Sequence, residues 1–375
     1  MEWRVPLADV KLGIEEENAV LEVLRSGWLT MGAVTQAFEH ELAAYVGAKH
    51  AFAVNNATAA LHLACLAVGL GDGDEAIVPS LTFVATANAV RYTGAKAVFA
   101  DIESEDWLCI SPRAIEEKIT GRTKAIVVMH YAGFACDMHE ILRIADRYGL
   151  AVIEDAAHAI GASLDGKALG TWGDVGCYSF FGNKNMTTAE GGMLVTDDDR
   201  LAEKVRILRS HGMTTLTWDR FKGHASTYDV VDLGYNYRID EIRAAIGREQ
   251  LKKLPAGNAR REIQVDRYRK AFSEKLPSLG LPFSEQRGVS SQHIFPVLLP
   301  EGVDREAFRE KMKADGIQTS FHYPPVHQFK IYRNEGEELR ITENVARRQV
   351  TLPLFPGMTD EQQDLVIESV VRALT

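Results

Sequence analysis

Two rhythms of apolar residues alternate along this chain. In GIEEENAVLEVLRSG (13–27) apolar positions recur at helical spacing, acidic residues crowd the first turn, and Gly27 stands where a helix stops. WLTMG (28–32) reads as a loop, and a second helix is expected over roughly 34–46. From there, runs of strand length take turns with helical patterns. AFAV (51–54) is a strand ended by Asn55 and Asn56, and a helix begins near Thr58. Residues 75–103 read strand, helix, strand, and a further helix falls near 111–119. Strand AIVVMH (125–130), helix 137–149 and strand AVIE (151–154) continue the series. Such alternation predicts an α/β fold with a mainly parallel sheet covered by helices, and ligands received at the carboxyl ends of the strands.

Beyond a helix over about 199–210 the texture changes. Residues 211–236 carry few periodic apolar positions, and loops of that length are uncommon unless they serve a function. A helical stretch then runs to about 276, with a break expected at Pro255-Ala256-Gly257. Strand HIFPVLL (293–299), helix 304–316, the loop HYPPVHQ (322–328) and a last helix over 360–373 predict a second, smaller α/β unit. The expected division is a large domain over 13–250 and a small one over 251–375, joined by segment 1–12.

Composition narrows the function classes. At 375 residues with 46% hydrophobic content the chain can bury a substantial core. Its 42 basic and 52 acidic residues give a net charge of −10, which argues against an extended nucleic-acid surface. An anionic ligand would need a local pocket of donors. Cys65, Cys109, Cys136 and Cys177 are scattered without CxxC spacing, so reduced core thiols are expected, not disulfides or a zinc site. With neither a secretory pattern at the start nor a run of membrane-spanning length, a cytoplasmic protein is expected.

Chemistry concentrates in GCYSFFGNKNMTTAEGGMLVT (176–196). One amine, Lys184, sits between a run of strand formers and a Gly-Gly pair entering another strand. Such a lysine is either a solvated cation or a Schiff-base nucleophile. About 30 residues upstream, a strand ends in Glu154-Asp155 and runs into a small-residue segment holding His158. An amine to hold an aldehyde and a carboxylate to keep a pyridine nitrogen protonated are the two requirements of pyridoxal phosphate (PLP). The unpaired amides at the start of the helix near Thr58 could receive its phosphate, or the helix could be an ordinary capped one.

Four ordered stretches, 79–90, 151–162, 176–196 and 233–247, resemble the DegT/DnrJ/EryC1/StrS family of PLP-dependent sugar aminotransferases of fold type I. The resemblance implies that Ala57 and Thr58 cradle the phosphate with Ser179, that Phe83 stacks on the cofactor ring, and that Asp155 faces the ring nitrogen. His158 would stand near the phenolic oxygen, although alone it reads as a structural histidine. Lys184 would carry the cofactor as an imine; relatives that dehydrate a sugar have histidine there. Asn236 would reach the phosphate of a neighbouring subunit, which implies a homodimer with shared sites. Trp28 and Thr30 are candidates for receiving the sugar nucleotide, or equally a buried aromatic and a helix cap. Arg238 either pairs with Asp240 or Glu241 at a helix entry or holds an amino-acid carboxylate. His322 and Tyr323 are substrate-side candidates, whereas the Pro-Pro turn is expected to point His327 outward. The family further implies glutamate as donor and a nucleotide-linked keto-deoxysugar as acceptor, 4-keto before 3-keto. A PLP-dependent dehydratase and a non-catalytic small-molecule-binding dimer are the alternatives. Two departures from the family pattern are Ala57 where glycine is frequent, and Phe181-Gly182-Asn183 in place of a proline before the lysine.

Overall fold

The computed structural model describes residues 3–215, 227–333 and 338–375, so much of the expected long loop, 216–226, lies outside the described residues. Nine strands precede residue 200: β1 (His50–Val54), β2 (Glu75–Pro79), β3 (Lys96–Ala100), β4 (Thr123–Met129), β5 (Ala151–Asp155), the short hairpin β6 (Ser163–Leu164) and β7 (Lys167–Ala168), β8 (Val175–Ser179) and β9 (Gly192–Thr196). Seven of them form one sheet in the order β1-β9-β8-β5-β4-β2-β3. All neighbours are parallel except β9, which runs against both β1 and β8.

Side chains of successive strand residues face opposite sides, so each strand feeds two cores. Ala76 and Val78 of β2 join one hydrophobic cluster, and Ile77 between them joins another. The first cluster is closed by α3 (Ala57–Ala67), α4 (Ala85–Tyr92) and α7 (Asp199–Leu208). The opposite face is covered by α5 (Pro112–Lys118) and α6 (Met138–Tyr148), and further along by α2 (Ala33–Val46). The register aligns Met129 with Asp155 and Asp155 with Cys177, so β4 and β5 end level and β8 runs two residues beyond them to Ser179. Because β9 is reversed, its amino end, Gly191-Gly192, arrives at that same edge.

Helix α1 (Ile14–Ser26) ends at Gly27 in the left-handed region, as its sequence predicts. The expectation of a break at Pro255 is overturned: α8 (Glu241–Lys275) is one helix of 35 residues with Pro255 inside it. A proline in a helix interior costs about 3 kcal/mol. Burial on both sides of it offsets that cost: Leu251 and Leu254 pack beneath the large sheet, and Val265, Tyr268 and Phe272 enter the core of the smaller unit. The helix therefore crosses residue 250, where a domain boundary is expected.

The smaller unit pairs β10 (Phe295–Leu298) with β11 (Gln349–Leu352), antiparallel, and packs them against α9 (Arg305–Ala314) and α11 (Asp360–Leu374). Val5 bridges Ile317, and Arg4 N donates to Gly316 O at 2.9 Å, which attaches the N-terminal segment here. Helix α10 (Arg340–Arg348) and β11 lie where the sequence pattern predicts no element. Helix α10 has little local cause to form, since its cap is supplied from afar. Asp101 accepts from Ile341 N, Thr342 N and Thr342 Oγ1 at 3.1, 2.8 and 2.7 Å. All four cysteines are free and buried. Among the described residues no helix is long and apolar enough to cross a membrane.

Candidate active site

The carboxyl ends of β1, β2, β4, β5 and β8 open on a cavity of about 910 Å³. Of the residues singled out in the sequence, Ala57, Thr58, Phe83, Asp155, His158, Ser179, Lys184, His322 and Tyr323 all line it. Trp28, Thr30, Asn236 and Arg238 do not.

At one end stands the N-terminus of α3. Asn56 caps it, its side chain accepting from Ala59 N at 2.8 Å, and the amides of Ala57 and Thr58 at the first helical turn lack intrahelical partners. The reversed strand β9 passes hard against this turn. A Cβ on Gly192 would come within 2.6–2.8 Å of the Asn56 backbone and Ala57 N, so only glycine lets the strand and the helix start meet. The side-chain oxygen of Asn55, also in the lining, is buried without a hydrogen-bond partner among the described residues.

Asp155, the last residue of β5, is 4% exposed. Burial raises its pKa, opposed by the Thr86 hydroxyl, which donates to Oδ2 at 2.6 Å, and by Ala157 N, which donates to Oδ1 at 3.1 Å. Lys184 lies in the loop between β8 and β9. Burial lowers its pKa to about 8, with the Asp155 charge pulling the other way. An amine so placed is partly neutral near physiological pH and can take a proton.

The lysine loop is anchored by its next residue. Asn185 Nδ2 donates to Asn258 Oδ1 on α8 and to Ser291 O, both at 2.7 Å, and its Oδ1 lies 2.9 Å from His293 Nδ1. His293 in turn packs on His158, ring centroids 4.3 Å apart. His158 Nδ1 accepts from Ala132 N at 3.2 Å, which leaves Nε2–H to donate to Tyr323 Oη at 2.9 Å. Burial holds His158 well below the ordinary histidine range, so it stands neutral. His322 is pushed down to about 4 by burial, with the lysine charge adding to the effect. Its Nδ1 lies 2.8 Å from Thr351 Oγ1. Tyr323 leans toward Phe83, ring centroids 5.8 Å apart, and Phe83 is 54% exposed at the cavity mouth.

Two expectations are corrected. His327 does not point outward: it is buried, hydrogen-bonded to Ser80 Oγ at 2.6 Å and 3.1 Å from Glu343 Oε1. Arg238 is not paired with Asp240 or Glu241; it donates to Ser210 Oγ at 2.9 Å and bridges Val54, while Arg243 takes Asp240. Glu241 instead caps α2, accepting from Gly32 N, Val34 N and Thr35 at 2.6–2.9 Å, and so fixes the loop that carries Trp28 and Thr30. Trp28 packs over Gly32 and Thr30 is exposed. Glu154 points away from the cavity, bound to His130 Nε2 at 2.8 Å and to three backbone amides.

Sequence reasoning missed Thr86, Asn185, Glu190, Tyr237 and Arg243. Glu190, Tyr237 and Arg243 are in the cavity lining, while Thr86 and Asn185 act through Asp155 and the lysine loop. No local signal marks Thr86. Its one-turn spacing from Thr82 on a small-residue segment is common, and only the sheet register brings Asp155 to it.

The model of the DegT/DnrJ/EryC1/StrS aminotransferase family matches residues 11–371. The chain is 43% identical over 368 residues to the spore coat polysaccharide biosynthesis protein SpsC of Bacillus subtilis (strain 168), covering 96% of this chain and 94% of that one. Among solved structures it is similar to the aminotransferase TlmJ from Streptoalloteichus hindustanus, with TM-score 0.92 and 34% identity over 99% and 98% of the two chains. It is equally similar in shape to Helicobacter pylori PseC, an aminotransferase of pseudoaminic acid biosynthesis, with TM-score 0.92 and 31% identity over 100% and 99%.

Proposed function

The chain belongs to the DegT/DnrJ/EryC1/StrS aminotransferase family, and on that footing we propose that it moves an amino group from glutamate to a nucleotide-linked keto-deoxysugar, 4-keto before 3-keto, with PLP as cofactor. The observation that carries this reading is the placement of a lysine whose pKa burial lowers to about 8 and a buried aspartate in the wall of one cavity. The relatives' roles in spore coat polysaccharide and pseudoaminic acid synthesis support a sugar as acceptor.

The residues fit the cofactor. The α3 amides at Ala57 and Thr58, with the Ser179 hydroxyl, would hold the phosphate, since helix-start amides and the dipole both favour an anion. Phe83 would flank the ring, Asp155 would face its nitrogen, and His158, held neutral, would stand at the side of Tyr323. When bound, PLP supplies an aldehyde to carry nitrogen and an electron sink for the carbon that loses a proton. The chain supplies the rest. Lys184 holds the cofactor at rest. Its Nζ, once freed by the donor's amine, would take the proton from the donor's α-carbon and return it to the cofactor's aldehyde carbon, across the nitrogen that joins the two. Asp155, its charged form supported by the Thr86 hydroxyl, would face the ring nitrogen. The small-domain loop carrying His322 and Tyr323 closes one wall and keeps water from the reacting carbon.

Asn236, Trp28, Thr30 and Arg238 lie outside this chain's own cavity lining, and we assign them to a site completed by a second copy, in a homodimer. The test is direct. The purified protein is mixed with PLP and glutamate, and the absorbance band of the lysine-bound cofactor should convert to that of its aminated form. Nucleotide-linked ketosugars are then added and read by mass. Nitrogen gained is the expected result; water lost would make the protein a dehydratase, and an unchanged band would end the aminotransferase reading.

A further inference from the structure

Lys184 also forms part of the wall of a second, smaller cavity of about 300 Å³. Asn185, the N-terminal segment, α8 and Pro356-Gly357 supply the remainder; three more cationic side chains line it, Lys11, Lys253 and Arg261, against a single carboxylate, Asp9. Arg261 is only 3% exposed. Its Nη1 donates to the carbonyls of His293 and Leu354 at 3.1 and 2.9 Å, but its Nε has no hydrogen-bond partner, and among the described residues no carboxylate pairs with it. Burial lowers its pKa to about 10, which leaves it charged at neutral pH.

A buried charge without a counter-ion is costly unless something neutralises it. Lys253 is already matched by Glu15 and Glu16, at 3.1 and 2.7 Å. Lys11 is not: no ion pair joins it among the described residues, and it is held in place by other means. Its carbonyl accepts from Gln250 Nε2 at 3.3 Å, and its side chain lies along Gly357, where a Cβ would come within 2.8 Å of Lys11 Cε. A buried guanidinium and an uncommitted ammonium thus face one cavity that shares its wall with the reactive lysine.

We propose that this second cavity is an anion subsite, receiving the phosphoryl or carboxylate group of a substrate whose reacting carbon stands at Lys184. The inference rests on the aminotransferase reading for its substrate. A phosphoryl group would come from the nucleotide-linked sugar, a carboxylate from the amino donor.

The test uses the PLP-loaded full chain, in which the first cavity is occupied. Inorganic pyrophosphate and 2-oxoglutarate are titrated separately by calorimetry into wild type, Lys11→Glu and Lys11→Arg. Lys11 is exposed on an extended segment, so neither change should disturb folding. At least one anion should bind wild type, lose tenfold or more in affinity in Lys11→Glu, and recover in Lys11→Arg. The two half-reactions, followed separately, identify the source. A tenfold rise in KM for the ketosugar with kcat unchanged marks the phosphoryl group, and the same rise for glutamate marks the carboxylate. Unchanged Kd and KM in Lys11→Glu would overturn the subsite. Should the wild type fail to react with glutamate at all, the aminotransferase reading falls by itself, and the calorimetric comparison still decides whether anions bind here.

Discussion

At the scale of single residues, the chemistry depends on what burial does to two charges. Lys184 carries a linkage consequence. Its folded pKa, about 8, lies below the ordinary 10.5, so between those values the unfolded chain binds the extra proton and stability rises with pH. Below pH 8 the buried ammonium is a constant cost, about 1–3 kcal/mol once partial exposure is allowed for. In cofactor-free protein, Lys184→Met should therefore raise stability by that amount at pH 7, and the gain should fade as pH passes through 8 to 10.5; denaturant melts across pH read it. If Lys184 has the role proposed for it, Lys184→Ala in the loaded enzyme should lower kcat by roughly a thousandfold or more. Amino transfer undiminished in that variant would refute its role. Asp155 depends on Thr86, whose hydroxyl offsets part of the burial penalty on the carboxylate. Losing that bond by Thr86→Val should cost about 1.5–3 kcal/mol of support for the charged form. A roughly tenfold fall in kcat, with the acidic limb of the pH profile moved to higher pH, is the expected reading.

At the scale of elements, the site is made by two close approaches. The first is the contact of β9 with the start of α3 across Gly192. Gly192→Ala places a Cβ within 2.6 Å of backbone, so the helix start must shift, and affinity for PLP should fall at least tenfold. Titration of cofactor-free protein, followed by absorbance, measures it. The second approach joins the lysine loop to α8 through Asn185 and Asn258. Asn185→Ala should leave PLP binding intact and lower kcat, because the loop loses the bonds that aim the amine while the phosphate cradle is untouched. An equal loss of PLP affinity would assign Asn185 to the cradle instead.

At the scale of the whole molecule, the long helix α8 and the N-terminal segment tie the two units into one body around the cavity. The segment entering the end of the expected long loop leaves Val230, Val231 and Leu233 exposed, the last at 80%. Exposed apolar residues this close together suit a partner surface, and in the proposed homodimer that partner is a second copy of the chain. Light scattering should give twice the 41.5 kDa chain mass, and Leu233→Asp should shift the protein toward monomer and lower activity with it. A wild-type monomer with full activity would remove the shared site from the account.

Local pattern was enough to foretell the βα alternation and the mainly parallel sheet, while most of the cavity-lining candidates came from the family resemblance. Strand and helix periods are local properties, and the carboxyl end of a parallel strand is readable from its last residues. Asp155 stands at such an end and Lys184 in the loop after another, so both could be named from the local pattern, whereas Ala57 and Ser179 were named through the family resemblance. What sequence alone could not supply is whatever depends on two distant stretches meeting. Pro255 stays helical because packing on both sides outweighs its local cost. Helix α10 forms where Asp101, some 240 residues earlier, caps it, and Thr86 matters only because folding brings it to Asp155. The cationic second cavity is of the same kind. Lys11 and Arg261 are 250 positions apart, and that among the described residues neither has an ion-pair partner is decided only once the chain has closed around them.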